Sequence, residues 1–535
     1  MALSIQQEAV VSRVGVLLAN GVRAGLIVLA RAGCGKTTTL VEVAKTLAVE
    51  LKNTNEEVFF GAYNKAIAEE IKAKLLKAGL DPKKIAAGTM HSAGFSAWRR
   101  VAKNVQVNDK KVDQIISRLA DELSAKAMVE TNADRQTLLR AKAQAAQNYS
   151  GFVRKAVSLA KQRAFGFLCS YEDVSKWYEL SSHFGLEEEL AEDCPVNMEE
   201  LIRLCIHVFK TSLEMDMVEV DFDDMISAPL VHNARMWPKR VVLLDEAQDT
   251  NPARRALAIK MLDPKKGLLI AVGDDRQAIY GFTGADGDSL DLIKVQMNAE
   301  VLPLNVTYRC PKAVVQVAQQ WVPDIQAHKS APEGVVRTSE SLFSETFTKE
   351  DAILCRNTKP LVEIAYTLLR QGTACRVEGR EIGQGLITLA NRWKVTTLNG
   401  LLTRLSAYKE REISKWMAKG MEDKAQGVED KVDTLVTIID RLASEGKKNL
   451  SDLVDFINKL FGDTQGEQNA LTLCTCHRSK GREWNRVFWF GANKYQPSRW
   501  AQKDWQIQQE YNLMYVAATR SKGELVFVPA PEESK

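Results

Sequence analysis

Ala30-Arg31-Ala32-Gly33-Cys34-Gly35-Lys36-Thr37-Thr38 is the stretch whose reading decides the fold. The apolar run Leu26-Ile27-Val28-Leu29 leads into it, and Leu40, Val41, Val43, Ala44 and Leu47 follow at helical spacing. This pattern predicts a buried strand, a tight turn and a helix. Such a turn aims backbone N–H groups and the positive end of a helix dipole at one point, which suits a phosphate. Gly33 and Gly35 let the backbone approach closely, Lys36 reaches the terminal phosphates, and Thr37 offers its hydroxyl to Mg²⁺. Ala32, Cys34 and Thr38 complete the expected nucleotide cradle. Ala30 stands where the usual pattern has its first glycine, and a residue that small is tolerated there.

Beyond the loop, short apolar strands recur in two clusters. The first comprises 26–29, 58–60, 241–244 and 268–272; the second comprises 353–355, 471–475, 487–490 and 525–528. Helical stretches separate many of them, which argues for parallel sheets covered on both faces. Each cluster is interrupted by a long helical insertion. In the first, Val112, Ile115, Ile116, Leu119 and Leu123 form one apolar stripe. In the second, Leu401, Leu402, Leu405, Val432, Leu435, Val436, Ile439, Leu453, Phe456 and Ile457 do likewise, with a glycine-containing break at Lys419-Gly420. The expected organisation is a first α/β core at 1–104 and 218–295 with its insertion at 105–217. A second core follows at 296–392 and 466–535, with its insertion at 393–465.

The bulk numbers agree. At 535 residues the chain exceeds a single core, and length alone suggests roughly three or four folding units. With 45% hydrophobic and 26% charged residues it reads as an ordinary soluble globular protein. No apolar run approaches the ~20 residues of a membrane span. The start, Met1-Ala2-Leu3-Ser4-Ile5-Gln6-Gln7, lacks the basic and apolar regions of a signal peptide, so a cytoplasmic location is expected, nucleoid- or nucleus-associated in a eukaryote. The nine cysteines are scattered without a Cys-x-x-Cys pair, and the six histidines show no complementary spacing, which argues against structural zinc. His183, His207, His232 and His328 are read as structural. A net charge of +4 permits a nucleic-acid partner without demanding one.

The second diagnostic is Val241-Val242-Leu243-Leu244-Asp245-Glu246-Ala247-Gln248-Asp249. An apolar strand ending in adjacent carboxylates puts one acid beside the metal of the phosphate loop and the next beside the attacking water. Asp245 is expected to hold Mg²⁺ with Thr37, and Glu246 to act as general base or to orient the water.

With these residues in place, the chain resembles a superfamily 1 helicase of the UvrD/Rep type, whose acidic motif commonly reads Asp-Glu-x-Gln-Asp. The likeness continues in order along the chain. Gln6-Gln7-Glu8-Ala9-Val10 resembles the glutamine motif, Ala62-Tyr63-Asn64-Lys65-Ala66 motif Ia, and Thr89-Met90-His91-Ser92 motif Ib. Asp221-Phe222-Asp223-Asp224 precedes the acidic motif, as is common in this family. Val272-Gly273-Asp274-Asp275-Arg276-Gln277-Ala278-Ile279-Tyr280-Gly281-Phe282 is similar to motif III, and Thr307-Tyr308-Arg309 to motif IV. Thr475-Cys476-His477-Arg478-Ser479-Lys480-Gly481-Arg482-Glu483-Trp484 is similar to motif V; Glu510 with Tyr515-Val516-Ala517-Ala518-Thr519-Arg520-Ser521-Lys522 is similar to motif VI. The compact second insertion resembles F-box helicase relatives more than the larger bacterial repair enzymes.

The resemblance implies two RecA-like domains that bind ATP between them, with single-stranded DNA running across both and movement in the 3′→5′ direction. It implies that Gln6 reads adenine, Tyr308 stacks on it and Glu483 contacts the ribose. Gln277 senses the γ-phosphate, and Arg309 and Arg520 stabilise charge on it. Tyr63, Asn64, His91, Tyr280, Phe282 and His477 are the implied DNA contacts, aromatic stacking being the usual hold on a single strand. Phe282 replaces a more usual Trp, and Thr283 stands where an Arg is frequent. Motif Ia departs from pattern too, because its aromatic is adjacent to Asn64. The expected activity is an ATP-dependent helicase acting on single strands and single/double-strand junctions in replication, repair or recombination, with proteins of those processes as candidate partners and no membrane. The competing readings are a translocase that displaces proteins with little unwinding, and a nucleic-acid-binding assembly subunit with a weak ATPase.

Overall fold

The computed structural model describes residues 3–52, 54–62, 65–77, 79, 81, 83, 85–184, 186, 197–279, 288–418, 422–461, 470–502 and 504–531. The chain divides into two compact units, Met1–Ala30 with Gly35–Leu304, and Arg31–Cys34 with Asn305–Lys535.

The first unit is built on a six-stranded sheet. Its strands are β1 (Ala24–Ala30), β2 (Val58–Ala62), β3 (Ile85–Thr89), β4 (Val241–Leu244), β5 (Leu268–Gly273) and β6 (Glu300–Leu304). They lie in the order β3-β2-β4-β5-β1-β6, all parallel. β2, β4 and β5 are buried along their whole length, which is why they read as unbroken apolar runs. Because neighbouring strands run the same way, the loops after β1, β4 and β5 leave from one edge, where α/β sheets place their ligands. β3 and β6 sit at the margins, with partly exposed residues, and neither shows a strong strand signal in sequence. β6 carries the first unit to Leu304, past the expected boundary at 295, because it pairs with β1 from Leu26↔Glu300 to Ala30↔Leu304.

Among the described residues, five helices between Lys111 and Met215 form the first insertion. The expected stripe of Val112, Ile115, Ile116 and Leu119 is buried in one core with Phe152, Val157, Trp177 and Phe209, and Leu123 packs against it. A buried charge cluster joins this insertion to the sheet-bearing core. Lys111 Nζ donates to Asp216 Oδ1 at 2.6 Å and Asp224 Oδ2 at 2.8 Å, and Lys161 Nζ reaches Asp221 Oδ2 and Asp224 Oδ1, both at 2.6 Å. The carboxylates of Asp221-Phe222-Asp223-Asp224 therefore serve architecture. His232 belongs to the same cluster, 3.0 Å from Asp216 Oδ2 and stacked on the buried Trp98.

The second unit holds another six-stranded sheet. Its strands are β7 (Val335–Thr338), β8 (Asp351–Cys355), β9 (Cys375–Val377), β10 (Leu471–Thr475), β11 (Trp484–Phe490) and β12 (Ser521–Val528), in the parallel order β7-β12-β11-β8-β10-β9. The helices Leu398–Ala418, Glu422–Ser444 and Leu450–Phe461 make up the second insertion. All ten of its stripe residues, from Leu401 to Ile457, lie in or against one core with β8 and β10. The Lys419-Gly420 break lies outside the described residues. Among the described residues, no helix is long and apolar enough to cross a membrane.

Candidate active site

β1 ends at Ala30 in the first unit, and the chain beyond it turns through Gly33 and Gly35 at φ of 71° and 80°. These are left-handed conformations that glycine adopts without steric penalty. Gly35 caps the helix Lys36–Glu50, so Lys36, Thr37 and Thr38 occupy its first turn, where backbone N–H groups and the dipole favour an anion. Thr37 is half-buried and Thr38 exposed. The buried Gln7 donates from Nε2 to Thr39 Oγ1 at 3.1 Å, tying the N-terminal helix to this one. Gln6, the residue expected to read adenine, is half-buried on the same N-terminal turn.

The end of β4 faces the start of this helix. Lys36 Nζ pairs with Glu246 Oε1 at 2.8 Å. Burial alone would lower the Lys36 ammonium, but the charges of Glu246 and Asp245, the bond to Glu246 and the charge of Asp274 outweigh it and raise its pKa. Asp245 is pushed up to about 6, first by burial and then by the neighbouring Glu246 charge. The charges of Glu246, Asp245 and Asp274 thus converge on the Lys36 ammonium. Asp245 and the Thr37 hydroxyl are hard oxygen donors of the kind Mg²⁺ takes. Among the described residues there is no cluster of three or more His, Cys, Asp or Glu placed to hold a metal alone, so water and phosphate would have to complete the shell.

Glu246 itself has a left-handed backbone, φ 49° and ψ 45°. A non-glycine residue there is uncommon and marks a constrained site. Its Oε2 accepts from Gln248 Nε2 at 2.6 Å, and Gln248 Oε1 accepts the Asp274 N–H at 3.1 Å. Asp274 Oδ2 accepts from Gln277 Nε2 at 2.7 Å, so the expected γ-phosphate sensor joins the same chain of bonds. Gln248 was absent from the residues expected to act, because an amide inside a motif gives no hint of its partners. His91 opens the helix Met90–Val101 after β3, and burial with the Arg254 charge lowers its pKa to about 4. Tyr63, Asn64, Tyr280 and Phe282 lie outside the described residues.

The second unit holds the remaining expected residues, together with Arg31–Cys34. Within it, Tyr308 N–H donates to Gly33 O at 2.8 Å and Ala32 N–H to the Tyr515 hydroxyl at 2.8 Å; Cys34 is buried. The Tyr308 ring is 44% exposed and packs against His328 with centroids 4.8 Å apart, leaving a face for a planar ligand. Arg309 Nε lies 2.6 Å from Glu483 Oε2, an ion pair whose N–H is not aligned as a hydrogen bond, and Lys522 approaches the other carboxylate oxygen at 3.7 Å. Glu483, expected on a ribose, is thus paired with an expected arginine finger. Arg520 is only 1% exposed; it donates to Val516 O, Arg482 O and Thr519 Oγ1 at 2.7, 3.2 and 3.0 Å. Arg309 and Arg520 flank the buried Cys310, whose thiol burial raises while their charges pull it back.

Glu510 of the sixth motif is buried and takes both Nε and Nη2 of Arg356 on Oε1, at 2.9 and 2.8 Å. Gln426 of the second insertion accepts from the same guanidinium at 3.2 Å. His477, after β10, is kept neutral: burial and then the Arg356 charge hold its pKa well below the usual histidine range.

Comparison with known proteins matches both units. The family model described as UvrD/REP helicase N-terminal domain matches residues 17–298, and the UvrD-like helicase C-terminal domain matches 391–531. DNA helicase IV of Escherichia coli (strain K12) is 27% identical over 317 residues, 56% of this chain and 45% of that protein. ATP-dependent DNA helicase Rep of Buchnera aphidicola subsp. Schizaphis graminum (strain Sg) is 26% identical over 307 residues, 55% of this chain and 42% of its own length. F-box DNA helicase protein 1 of Schizosaccharomyces pombe is 23% identical over 556 residues, 94% of this chain and 55% of that protein. The chain spans about half the length of the curated relatives it matches.

Proposed function

Because this chain belongs to the UvrD/REP helicase family, we propose that it is an ATP-dependent DNA helicase that translocates 3′→5′ on single-stranded DNA and opens single/double-strand junctions. The observation that carries the reading is the Lys36–Glu246 pair, which sets a phosphate-binding ammonium against a carboxylate suited to activate water. In this reading Lys36 leaves Glu246 for the β- and γ-phosphates, and the freed Glu246 Oε1 accepts a hydrogen bond from the attacking water. Gln277, held by Asp274, reports the γ-phosphate. Thr37 and Asp245 would hold Mg²⁺, which neutralises phosphate charge when bound.

The resemblance of the Thr307–Arg309 and Tyr515–Lys522 segments to motifs IV and VI supports assigning Arg309 and Arg520 to transition-state charge, Tyr308 and Gln6 to adenine, and Glu483 to ribose. Ala32, Gly33, Cys34, Gly35 and Thr38 line the phosphate loop. Tyr63, Asn64, His91, Tyr280, Phe282 and His477 are proposed DNA contacts on the same ground. The six-segment division read from the sequence, with the first core extended through Leu304, is the proposed domain organisation. Action in replication, repair or recombination, alongside proteins of those processes in the cytoplasm, nucleoid or nucleus, completes the proposal.

The test is ATP hydrolysis with matched single-stranded DNA, duplex DNA and single-stranded RNA, together with displacement of a labelled strand from a 3′-tailed duplex. Stimulation by single-stranded DNA with displacement from the 3′ tail supports the proposal. Stimulation with release of streptavidin from a biotinylated strand, but without displacement, favours a protein-stripping translocase. No stimulation by any nucleic acid overturns both.

A further inference from the structure

We propose that Gln248 is a positioning residue that ties the catalytic carboxylate of Glu246 to the Asp274–Gln277 segment, so that one amide sets both the base and the γ-phosphate sensor. The inference rests on the reading of Glu246 as the residue that serves the attacking water. Gln248 is 1% exposed and sits in the short 3₁₀ turn Ala247–Asp249 that follows β4. Its carboxamide has no freedom to flip. Oε1 faces the Asp274 N–H at 3.1 Å, a donor, and Nε2 must therefore face Glu246 Oε2 at 2.6 Å, an acceptor. Reversing the amide would set donor against donor and acceptor against acceptor.

The surroundings are shaped around this bridge. A Cβ on Gly273 would lie 2.3 Å from Gln248 Oε1, so a side chain at the last residue of β5 would force the carboxamide away. The strained backbone of Glu246 aims its carboxylate between two donors, with Lys36 on Oε1 and Gln248 on Oε2. These two bonds have different fates. Lys36 is drawn away when phosphate arrives, whereas both partners of Gln248 belong to the protein and stay. Gln248 therefore fixes the direction in which Oε1 opens toward water. Because its other end holds Asp274, and Asp274 holds Gln277, a displacement of the sensor is transmitted to the base through three hydrogen bonds, Gln277 to Asp274, Asp274 to Gln248 and Gln248 to Glu246. Shifts of this kind matter, since misplacing a reacting group by about 1 Å can cost on the order of 10²-fold in rate.

The test compares Gln248→Met, which keeps the side chain's length without its amide, and Gln248→Glu, which keeps an acceptor for Asp274 but cannot donate to Glu246. Affinity for a fluorescent MANT-ATP and single-turnover hydrolysis with saturating ATP and oligo-dT are measured for each, alone and combined with Glu246→Gln. We expect MANT-ATP affinity within about threefold of wild type and turnover reduced by roughly tenfold or more, because the amide acts on the base and not on nucleotide binding. In the Glu246→Gln background either change should alter turnover by less than about twofold, since groups acting as a unit are non-additive. If Gln248→Met melts early, Gln248→Glu carries the same comparison. Wild-type turnover in a folded Gln248 variant, or the same fold-loss in both backgrounds, overturns the inference while leaving Glu246 in its role. Wild-type turnover in Glu246→Gln alone removes the base and with it the reading beneath.

Discussion

Lys36 Nζ and Glu246 Oε1 are 2.8 Å apart, so the ammonium proposed to bind phosphate and the carboxylate proposed to serve water are paired with each other. Their replacements are expected to fail differently. Lys36→Ala removes an ammonium on which the charges of Glu246, Asp245 and Asp274 converge, and should weaken nucleotide binding and hydrolysis together. Glu246→Gln keeps an acceptor for Lys36 and removes the proposed base, so binding should persist while turnover falls by ~10²-fold or more. Fluorescent-nucleotide titration beside single-turnover assays separates the two, and equal losses of affinity in both variants would contradict the assigned roles.

Acid should expose His91. Its pKa falls from an ordinary 6.5 to about 4 in the fold, through burial and the Arg254 charge. Between those values the unfolded chain binds a proton that the folded one refuses, so stability rises with pH across this window. The contribution is fully present above 6.5 and is lost as pH falls toward 4. His91→Gln should therefore narrow the difference in thermal midpoint between pH 7 and pH 5. An unchanged difference means that other groups carry it.

The buried cluster predicts an asymmetry in stability. Lys111 is fully buried between Asp216 and Asp224. Lys111→Met takes the shared ammonium from Asp216, which keeps His232, and from Asp224, which keeps Lys161, and should destabilise the first unit by up to about 3–5 kcal/mol. Adding Asp216→Leu should recover part of that loss, because an apolar pair of similar volume often replaces a buried ion pair at little cost. Denaturant melts of the two variants decide the matter, and a double variant less stable than the single refutes the clamp.

Much of this was legible in the sequence. Strands buried on both faces read as apolar runs, so β1, β2, β4, β5, β8 and β10 stand out. The edge strands β3, β6 and β7 do not, because their exposed residues break the run and only pairing with a neighbour fixes them. Motif spacing singled out Lys36 at the start of a helix and Asp245 and Glu246 after a strand, and the structure brings Lys36 and Glu246 together. Spacing could not locate Gln248 or the Lys111 and Lys161 cluster, whose meaning lies in partners far along the chain. The burial of Arg520 was equally invisible, since an arginine reads as exposed until its acceptors are known.

That burial changes what Arg520→Ala should do. The guanidinium holds two carbonyls, Val516 O and Arg482 O, as well as Thr519 Oγ1. Its removal takes these three hydrogen bonds away, and a buried acceptor that loses its donor costs about 1–3 kcal/mol. Arg520→Ala should therefore lower the melting temperature as well as turnover. Arg520→Lys keeps the charge but not the fork, and should retain more stability than Ala while still losing much of the rate. Equal melting temperatures for wild type and Arg520→Ala would mean the guanidinium is not held this way in solution.

The Arg309–Glu483 pair allows two roles for Glu483 to be told apart. With Oε2 lying 2.6 Å from Arg309, Glu483 can act by holding the arginine, by binding a ribose hydroxyl, or by both in turn. Glu483→Ala should raise KM for ATP if the ribose contact is real, and should erase any preference for ATP over 2′-deoxy-ATP, because the hydroxyl then has no carboxylate to meet. If Glu483 serves only Arg309, the same variant should lower kcat for both nucleotides alike and leave their ratio untouched. Arg309→Ala provides the control: it should cut turnover by ~10³-fold or more if it is an arginine finger, and combining it with Glu483→Ala should add nothing to the loss in kcat. Steady-state kinetics on the two nucleotides for the three variants resolves the pair, and a nucleotide ratio that collapses while kcat holds places Glu483 on the ribose.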